Sequence, residues 1–395
     1  MIDFAYIISR LLPILPHFFI SFLLAALLTP VISKYAFKFK AIDIKSSNVA
    51  RIINTDIQEN LIPRLGGLAV SIVFSILVTY VYGMNSFTFI LLVSVFILTV
   101  AGFLDDIYDL KAWQQFLLQL IAVTIVVILA GVRIENIHLG SYMLDFVGHE
   151  EFFSTFGLFY KFVFPADIIT IFWIMIIINA MNWVAGIDAL EECMSIIAGV
   201  TLTLIAIKLN RLEFVPMIAI YTGALSGFTI FNLPPAKIYS GTIGNILFGF
   251  LLSVFAIKID GKMTTSILLL AIPVVDFVWV LLGRLVKYKQ FNPIKLMSIS
   301  GNHHLHHRLK EMGFSNWRVL YFELSLFLIF ASLAYLTAGF DIAVVAGIFA
   351  FGAIIILFAY LSVKKRSKLS QISARPVQIK KETEIKKTPD REYAY

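Results

Sequence analysis

Repeated uncharged apolar runs, each about twenty residues long and so long enough to cross a bilayer, leave this chain few ways to fold. Residues 87–104 form one such run, and it stops at two adjacent acids, Asp105 and Asp106. No water-soluble core could hide this much apolar surface. Of 395 residues 59% are hydrophobic, 36 are Phe, and only 14% are charged, against roughly 25% in a soluble domain. The expected fold is an all-α polytopic membrane protein. About eleven spans are predicted by length and hydropathy, near residues 11–33, 66–83, 86–104, 113–131, 165–183, 193–208, 214–231, 242–258, 264–284, 318–338 and 342–363. Residues 11–32 read as a retained span and not as a removed signal peptide.

The basic residues orient the spans. Lys and Arg concentrate if loops 34–65, 105–112, 184–192, 232–241 and 285–317 are cytoplasmic. The N-terminus is then outside, the C-terminus inside, and loop 132–164 external. The chain divides into an integral-membrane part, 1–363, and a tail, 364–395. The tail holds ten Lys/Arg and four Asp/Glu, a net of +6 out of the chain's +7. The body is therefore near neutral, and the basic balance makes no case for nucleic acid. The tail reads as a disordered extension facing membrane lipid, or as a solubilising tail. A single cysteine, Cys193, excludes an intramolecular disulfide and any cysteine-cluster metal site.

Four polar clusters fall at the predicted cytoplasmic ends of spans. The first is Asp105, Asp106 and Asp109. Helical spacing puts Asp105 and Asp109 on one face, and carboxylates so placed hold a divalent cation or act as a base. A solvated helix end is the bland alternative. The second holds Asn179, Asn182, Gly186, Asp188, Glu191 and Glu192, where amides suit a metal, a uracil or an amide ligand, or simply cap helices. The third, residues 232–245, breaks one span at Pro234-Pro235 and opens another near Gly241 and Gly244, a start suited to phosphate or to close helix packing. The fourth is Gly301, Asn302, His303, His304, His306, His307 and Arg308, with four of the seven histidines of the chain. An arginine beside them favours an anion such as phosphate over a structural zinc ion. Convergence of four clusters on one face argues for one cytoplasm-facing site in the cell membrane.

In this order, the clusters resemble the polyprenyl-phosphate N-acetylhexosamine-1-phosphate transferases. That family includes undecaprenyl- and dolichyl-phosphate GlcNAc-1-phosphate transferases and the phospho-MurNAc-pentapeptide translocase. The resemblance runs over residues 11–363 and rests on Pro63-Arg64-Leu-Gly66-Gly67, on Asp105-Asp106 with Asp109-Leu110 and Gln119, on Ala185-Gly186-Ile-Asp188-Ala-Leu-Glu191, and on His304-Leu-His306-His307-Arg308-Leu309. It implies transfer of a HexNAc-1-phosphate, GlcNAc by default, from a UDP-sugar to undecaprenyl or dolichyl phosphate, with UMP released and a homodimeric enzyme. It implies Mg²⁺, with Mn²⁺ as a substitute, near Asp105, Asp106 and Asn182. Asp105, Asp106 and Asp109 would be catalytic. Asn179, Asn182, Asp188, His304, His306, His307 and Arg308 would bind substrate.

Thr242 departs from that pattern, because the family usually has a metal-ligating Asp there; Gln115 stands where a basic residue is expected, and Asn245 where a Ser is. Two accounts follow. Asp188, Glu191 or Glu192 replaces the missing ligand, or the fold binds UDP-sugar or lipid phosphate without turnover. A lipid-linked sugar transporter is a third class, which predicts midspan charges and internal repeats. Asp276 is the main midspan charge, and no repeat is evident.

Overall fold

The computed structural model describes residues 4–44, 61–139, 142–155, 158–260, 267–292 and 304–340, with short pieces at 295–296, 299, 352–353 and 355–356. The expected span 342–363, the tail 364–395, and Gly301, Asn302 and His303 lie largely or wholly outside the described residues.

The chain is mostly helical. In order the helices are α1 (Phe4–Leu11), α2 (Leu15–Lys38), α3 (Gly66–Tyr82), α4 (Ser86–Tyr108), α5 (Ala112–Ala130), α6 (Ala166–Val184), α7 (Leu190–Lys208), α8 (Val215–Asn232), α9 (Gly241–Asp260), α10 (Ala271–Tyr288), α11 (Leu305–Glu311) and α12 (Asn316–Thr337). Among the described residues, eight helical stretches are long and apolar enough to cross a membrane, and Gly66–Tyr82 is a shorter apolar helix. Ten of the eleven expected spans coincide with helices, and the first runs on as Ala5–Lys38.

Helix α9 is the axis of the bundle. In its apolar window 89% of residues are buried, against 17% in Ala5–Lys38. It packs on α3, α4, α6 and α7, while α2 lies along α8 on the outside. The exposed apolar side chains of the outer helices, such as Phe19, Leu27 and Phe96, are what a lipid-facing surface requires.

Loop chemistry sets where the helices turn. Asn85 caps α4, its side chain accepting the Thr88 N–H at 2.9 Å. At the other end, Asp109 takes the left-handed conformation, φ 47°, and stops the helix. Pro234 and Pro235 follow α8, where a missing N–H and a fixed φ prevent further helix. The same end of the bundle gathers the C-termini of α4, α6 and α8 and the N-termini of α5, α7 and α9.

Strands were not anticipated. β1 (Ile42–Ile44) pairs with β2 (Leu61–Pro63) at the polar end. Within segment 132–164, expected as an external loop, and on to Pro165, the described residues form two antiparallel strand pairs: β3 (Asn136–Leu139) with β4 (Tyr142–Asp145), and β5 (Val147–Thr155) with β6 (Leu158–Pro165). Their aromatic and β-branched residues suit paired strands, and a reading tuned to helical spans passes over them. Beside them a buried ion pair, Arg133 Nε to Asp167 Oδ1 at 2.6 Å, ties the segment after α5 to the start of α6, and Arg133 Nη2 donates to Lys161 O of β6 at 2.8 Å.

Candidate active site

The clusters separated in sequence meet at one end of the bundle. The acid pair closes the last turn of α4 and faces the first turn of α9. Asp106 Oδ1 accepts the Thr242 N–H at 2.9 Å, and Asp105 Oδ2 accepts the Thr242 hydroxyl at 2.6 Å. The N–H groups of a helix start favour a carboxylate there. Asp105 Oδ1 also accepts the Leu110 N–H at 2.9 Å and a hydrogen bond from Gln115 Nε2. Arg64 flanks the pair, Nε to Asp106 Oδ1 at 3.4 Å. Asp106 Oδ2 is buried with no hydrogen-bond partner among the described residues. Asp109 does not join the pair: its backbone turns left-handed and it is exposed, while Asp105 and Asp106 are buried.

Next to the pair lies a polar cavity of about 260 Å³. Arg64, Asp43, Asp188, Glu192, Tyr239, Ser240, Gly241, Asn245 and Lys310 line it, with the backbone of 185–187. Gly241, at φ 69°, passes directly against Asp106 Oδ2 and the Arg64 carbonyl, so a side chain there would collide with both. Strands β1 and β2 bring Asp43 and Arg64 to the rim. The Arg64 N–H donates to Ala41 O at 3.0 Å, and the Tyr239 N–H to Pro63 O at 2.8 Å. Gly66 and Gly67 donate to the carbonyls of Tyr239 and Ser240 at 2.9 and 2.7 Å, fastening α3 to the loop before α9. Asp188 Oδ2 accepts the Ala236 N–H at 3.1 Å. Asn232 bridges two loops, accepting the Ala189 N–H at 2.6 Å and donating to Ile238 O at 2.8 Å. Burial, then Asp188 and Asp43, push the Tyr239 phenol well up, so it stays protonated.

A second, smaller cavity of about 70 Å³ is lined by amides: Gln115, Gln119, Asn179 and Asn182, with Trp183. Asn179 Nδ2 donates to Gln119 Oε1 at 3.3 Å and to Met175 O at 2.8 Å. Asn182 Oδ1 lies 3.1 Å from the amide of Asn245, which links the two cavities. With the Asn245 amide turned so that its nitrogen faces acceptors, it donates to Gly241 O and to Glu191 Oε2, each at 2.9 Å. Glu191 lies fully buried beneath the site with Oε1 unpartnered, whereas Glu192 lines the larger cavity.

The histidine motif closes the site from α11. His304 Nδ1 lies 2.7 Å from Asp276 Oδ2, and Asp276 Oδ1 accepts the Leu305 N–H at 2.9 Å. A carboxylate on Nδ1 leaves Nε2 as the ring nitrogen open to a ligand. His304 and His306 stack in parallel at 5.5 Å, and Trp183 meets His304 edge-on at 5.4 Å. His306 rests on Gly186, where a Cβ would come within 2.9 Å of its Cε1. Arg308 lies over the Trp279 ring at 5.6 Å. Burial, then His307, His304 and Lys310, hold His306 well below the ordinary imidazole value, and His307 is lowered chiefly by burial.

The expected metal ligands are placed unevenly. Asp105 spends both oxygens on protein donors, and the Asn182 side-chain amide is engaged with that of Asn245. Of these expected ligands, Asp106 alone offers a buried oxygen that has no partner among the described residues, the kind of atom that a cation would satisfy; Glu191 Oε1, beneath the site, is another such atom. Among the described residues, no group of three or more His, Cys, Asp or Glu gathers as a metal cage. Several site residues escaped the sequence reading: Asp276 as the partner of His304, Arg64 as a partner of the acid pair, and Lys310 and Tyr239 as cavity walls. Asp276 carried a signal, since a lone acid in an apolar span usually has a partner.

The chain is also similar to known proteins. Residues 88–260 match Glycosyl transferase family 4. A probable undecaprenyl-phosphate N-acetylglucosaminyl 1-phosphate transferase of Bacillus subtilis is 29% identical over 316 residues, 78% of this chain and 80% of the relative. A phospho-N-acetylmuramoyl-pentapeptide-transferase of Lactobacillus acidophilus is 28% identical over 269 residues, 65% of this chain and 78% of the relative. The chain is a multi-pass membrane protein that is similar to glycosyl transferase family 4 over residues 88–260.

Proposed function

We propose that this protein transfers a HexNAc-1-phosphate, with GlcNAc as the sugar, from a UDP-sugar to a polyprenyl phosphate. The observation that carries the reading is the meeting of four sequence-distant polar clusters at one end of a membrane bundle, beside a polar cavity and a smaller amide-lined one. A nucleotide sugar reaches that end from water, while a lipid phosphate reaches it from the bilayer. One oxygen of the lipid phosphate attacks the sugar-bearing phosphorus of the UDP-sugar. The bond from that phosphorus to the bridging oxygen breaks, UMP leaves, and a lipid diphosphate sugar remains. Such a transfer asks for positioning and neutralisation of charge more than for covalent help.

The residues supply those needs at separate places. Arg64 and Lys310 bring positive charge to the cavity wall, and Tyr239 offers a ring and a phenol donor to a nucleotide. His304, held through Nδ1, presents Nε2 to phosphate oxygens, and Arg308 adds a guanidinium fork. Mg²⁺, or Mn²⁺ in its place, is the proposed cofactor, with Asp106 as the protein carboxylate that would hold it. When bound, the ion would offset negative charge on the diphosphate. Undecaprenyl phosphate, acted on by the named Bacillus relative, is the first lipid to test. The basic loops support a site on the cytoplasmic face of the cell membrane, and the resemblance supports a homodimer.

The test is direct. Purified protein, Mg²⁺, undecaprenyl phosphate and UDP-GlcNAc labelled in the sugar are expected to give a butanol-extractable labelled lipid and stoichiometric UMP. No labelled lipid with any UDP-HexNAc or polyprenyl phosphate would reject the reading.

A further inference from the structure

We propose that the two adjacent aspartates have divided roles: Asp105 is a positioning residue clasped by neutral donors, and Asp106 alone of the pair meets a divalent cation. This rests on the site described above but not on turnover.

Asp105 sits at 7% exposure with donors on both oxygens. Leu110 N–H and Gln115 Nε2 reach Oδ1, and the Thr242 hydroxyl reaches Oδ2. These donors come from three places: the turn after α4, the first turn of α5, and the first turn of α9. Asp105 therefore ties three elements together at the floor of the site. Thr242 and Gln115 are both uncharged, so the carboxylate is satisfied by hydrogen bonds without any counter-ion. A cation seeking Asp105 would compete with donors that the fold itself fixes.

Asp106 differs at each point. It is as deeply buried, at 5% exposure, yet Oδ2 has no hydrogen-bond partner among the described residues. Oδ1 is engaged by the Thr242 N–H and the flanking Arg64, and the Ile243 N–H also acts on the carboxylate. Oδ2 lies against Gly241, which lines the polar cavity and brings no side chain between them. A buried carboxylate oxygen left bare is costly, and a cation at the cavity edge would relieve that cost. Thr242 thus acts twice: its N–H steadies the cation-binding acid, and its hydroxyl keeps the neighbouring acid out of the ion's reach.

Mn²⁺ serves as the probe. Its binding to the substrate-free, full-length protein in detergent is followed by electron paramagnetic resonance titration, alongside size-exclusion elution and thermal midpoint. Asp106→Asn is expected to weaken Mn²⁺ at least about tenfold, and Asp105→Asn by less than about threefold. Thr242→Val and Gln115→Leu release Asp105 oxygens and are expected to tighten Mn²⁺, whereas Thr242→Ser keeps the hydroxyl and the wild-type affinity. If Asp105 were already a ligand, these same neighbours would orient it, and losing one would weaken the metal about 10- to 100-fold. Weaker binding in Thr242→Val or Gln115→Leu, with elution unchanged, would overturn the proposal. So would equal losses in Asp105→Asn and Asp106→Asn, or no Mn²⁺ binding by the wild type at millimolar concentration. Because no sugar transfer is measured, a failure here is separate from a failure of the transferase reading.

Discussion

Replacing Asp276 with Asn tests how the histidine motif is held. The carboxylate makes two buried contacts, 2.7 Å to His304 Nδ1 and 2.9 Å to the Leu305 N–H. An amide keeps one acceptor oxygen, enough for the Leu305 N–H, but its NH₂ group cannot accept the Nδ1 proton. His304 must then move its proton to Nε2 or turn its ring away, and either change alters what it presents to a phosphate. The lost bond is charge-assisted, worth about 1.5–3 kcal/mol. If all of that energy acts on the transition state, the rate falls about 10- to 150-fold. Initial rates of labelled lipid formation, normalised to the folded fraction seen by size exclusion, measure this. Separate kcat and KM values for the UDP-sugar distinguish positioning from simple loss of binding. Asp276→Asn protein that folds normally and turns over within twofold of wild type would refute the reasoning.

Three further outcomes follow from the geometry. Gly186→Ala drives a methyl into the His306 ring, so transfer is expected to fall at least about tenfold with a modest loss of thermal midpoint, read by the same assay and by differential scanning fluorimetry. Because His306 and His307 are held below the ordinary imidazole value, the unfolded chain takes up protons there before the folded chain does. Their contribution is full above the ordinary value and is lost as pH falls through it, so the thermal midpoint should drop from about pH 7 to about pH 5, and less steeply in His306→Gln. Asp167→Asn, at the far end, leaves Arg133 without its buried partner and is expected to cost about 3–5 kcal/mol of stability, with specific activity of the folded protein unchanged.

Much of the architecture was legible because lipid imposes a simple rule on sequence. Span 86–104 was visible as an unbroken apolar run, and its end was marked by Asp105. The break between α8 and α9 was equally plain, since Pro234 and Pro235 cannot continue a helix. The strand pairs of 136–165 were not, because their short strands carry aromatics and charges in no helical period. At the site, the four clusters were legible as exceptions: acids, amides and histidines that a bilayer segment has no reason to keep. What sequence could not give was the pairing. That Thr242 grips both aspartates, that Asp276 holds His304, and that Gly186 makes room for His306 depend on contacts across 136, 28 and over 100 positions. Thr242 shows the limit most clearly. Read as a residue type it looked like a missing ligand, but in the fold it is a two-handed donor to the acid pair.

The central claim is that the joined clusters form one phosphosugar transfer site. Mass spectrometry of the lipid extract after incubation with UDP-GlcNAc and undecaprenyl phosphate tests it most directly, with wild type and Asp106→Asn side by side. The predicted result is an undecaprenyl diphosphate GlcNAc ion in the wild type, matched by UMP in the aqueous phase, and its loss in the variant. UMP without the lipid product, or an undiminished product from Asp106→Asn, would contradict the account.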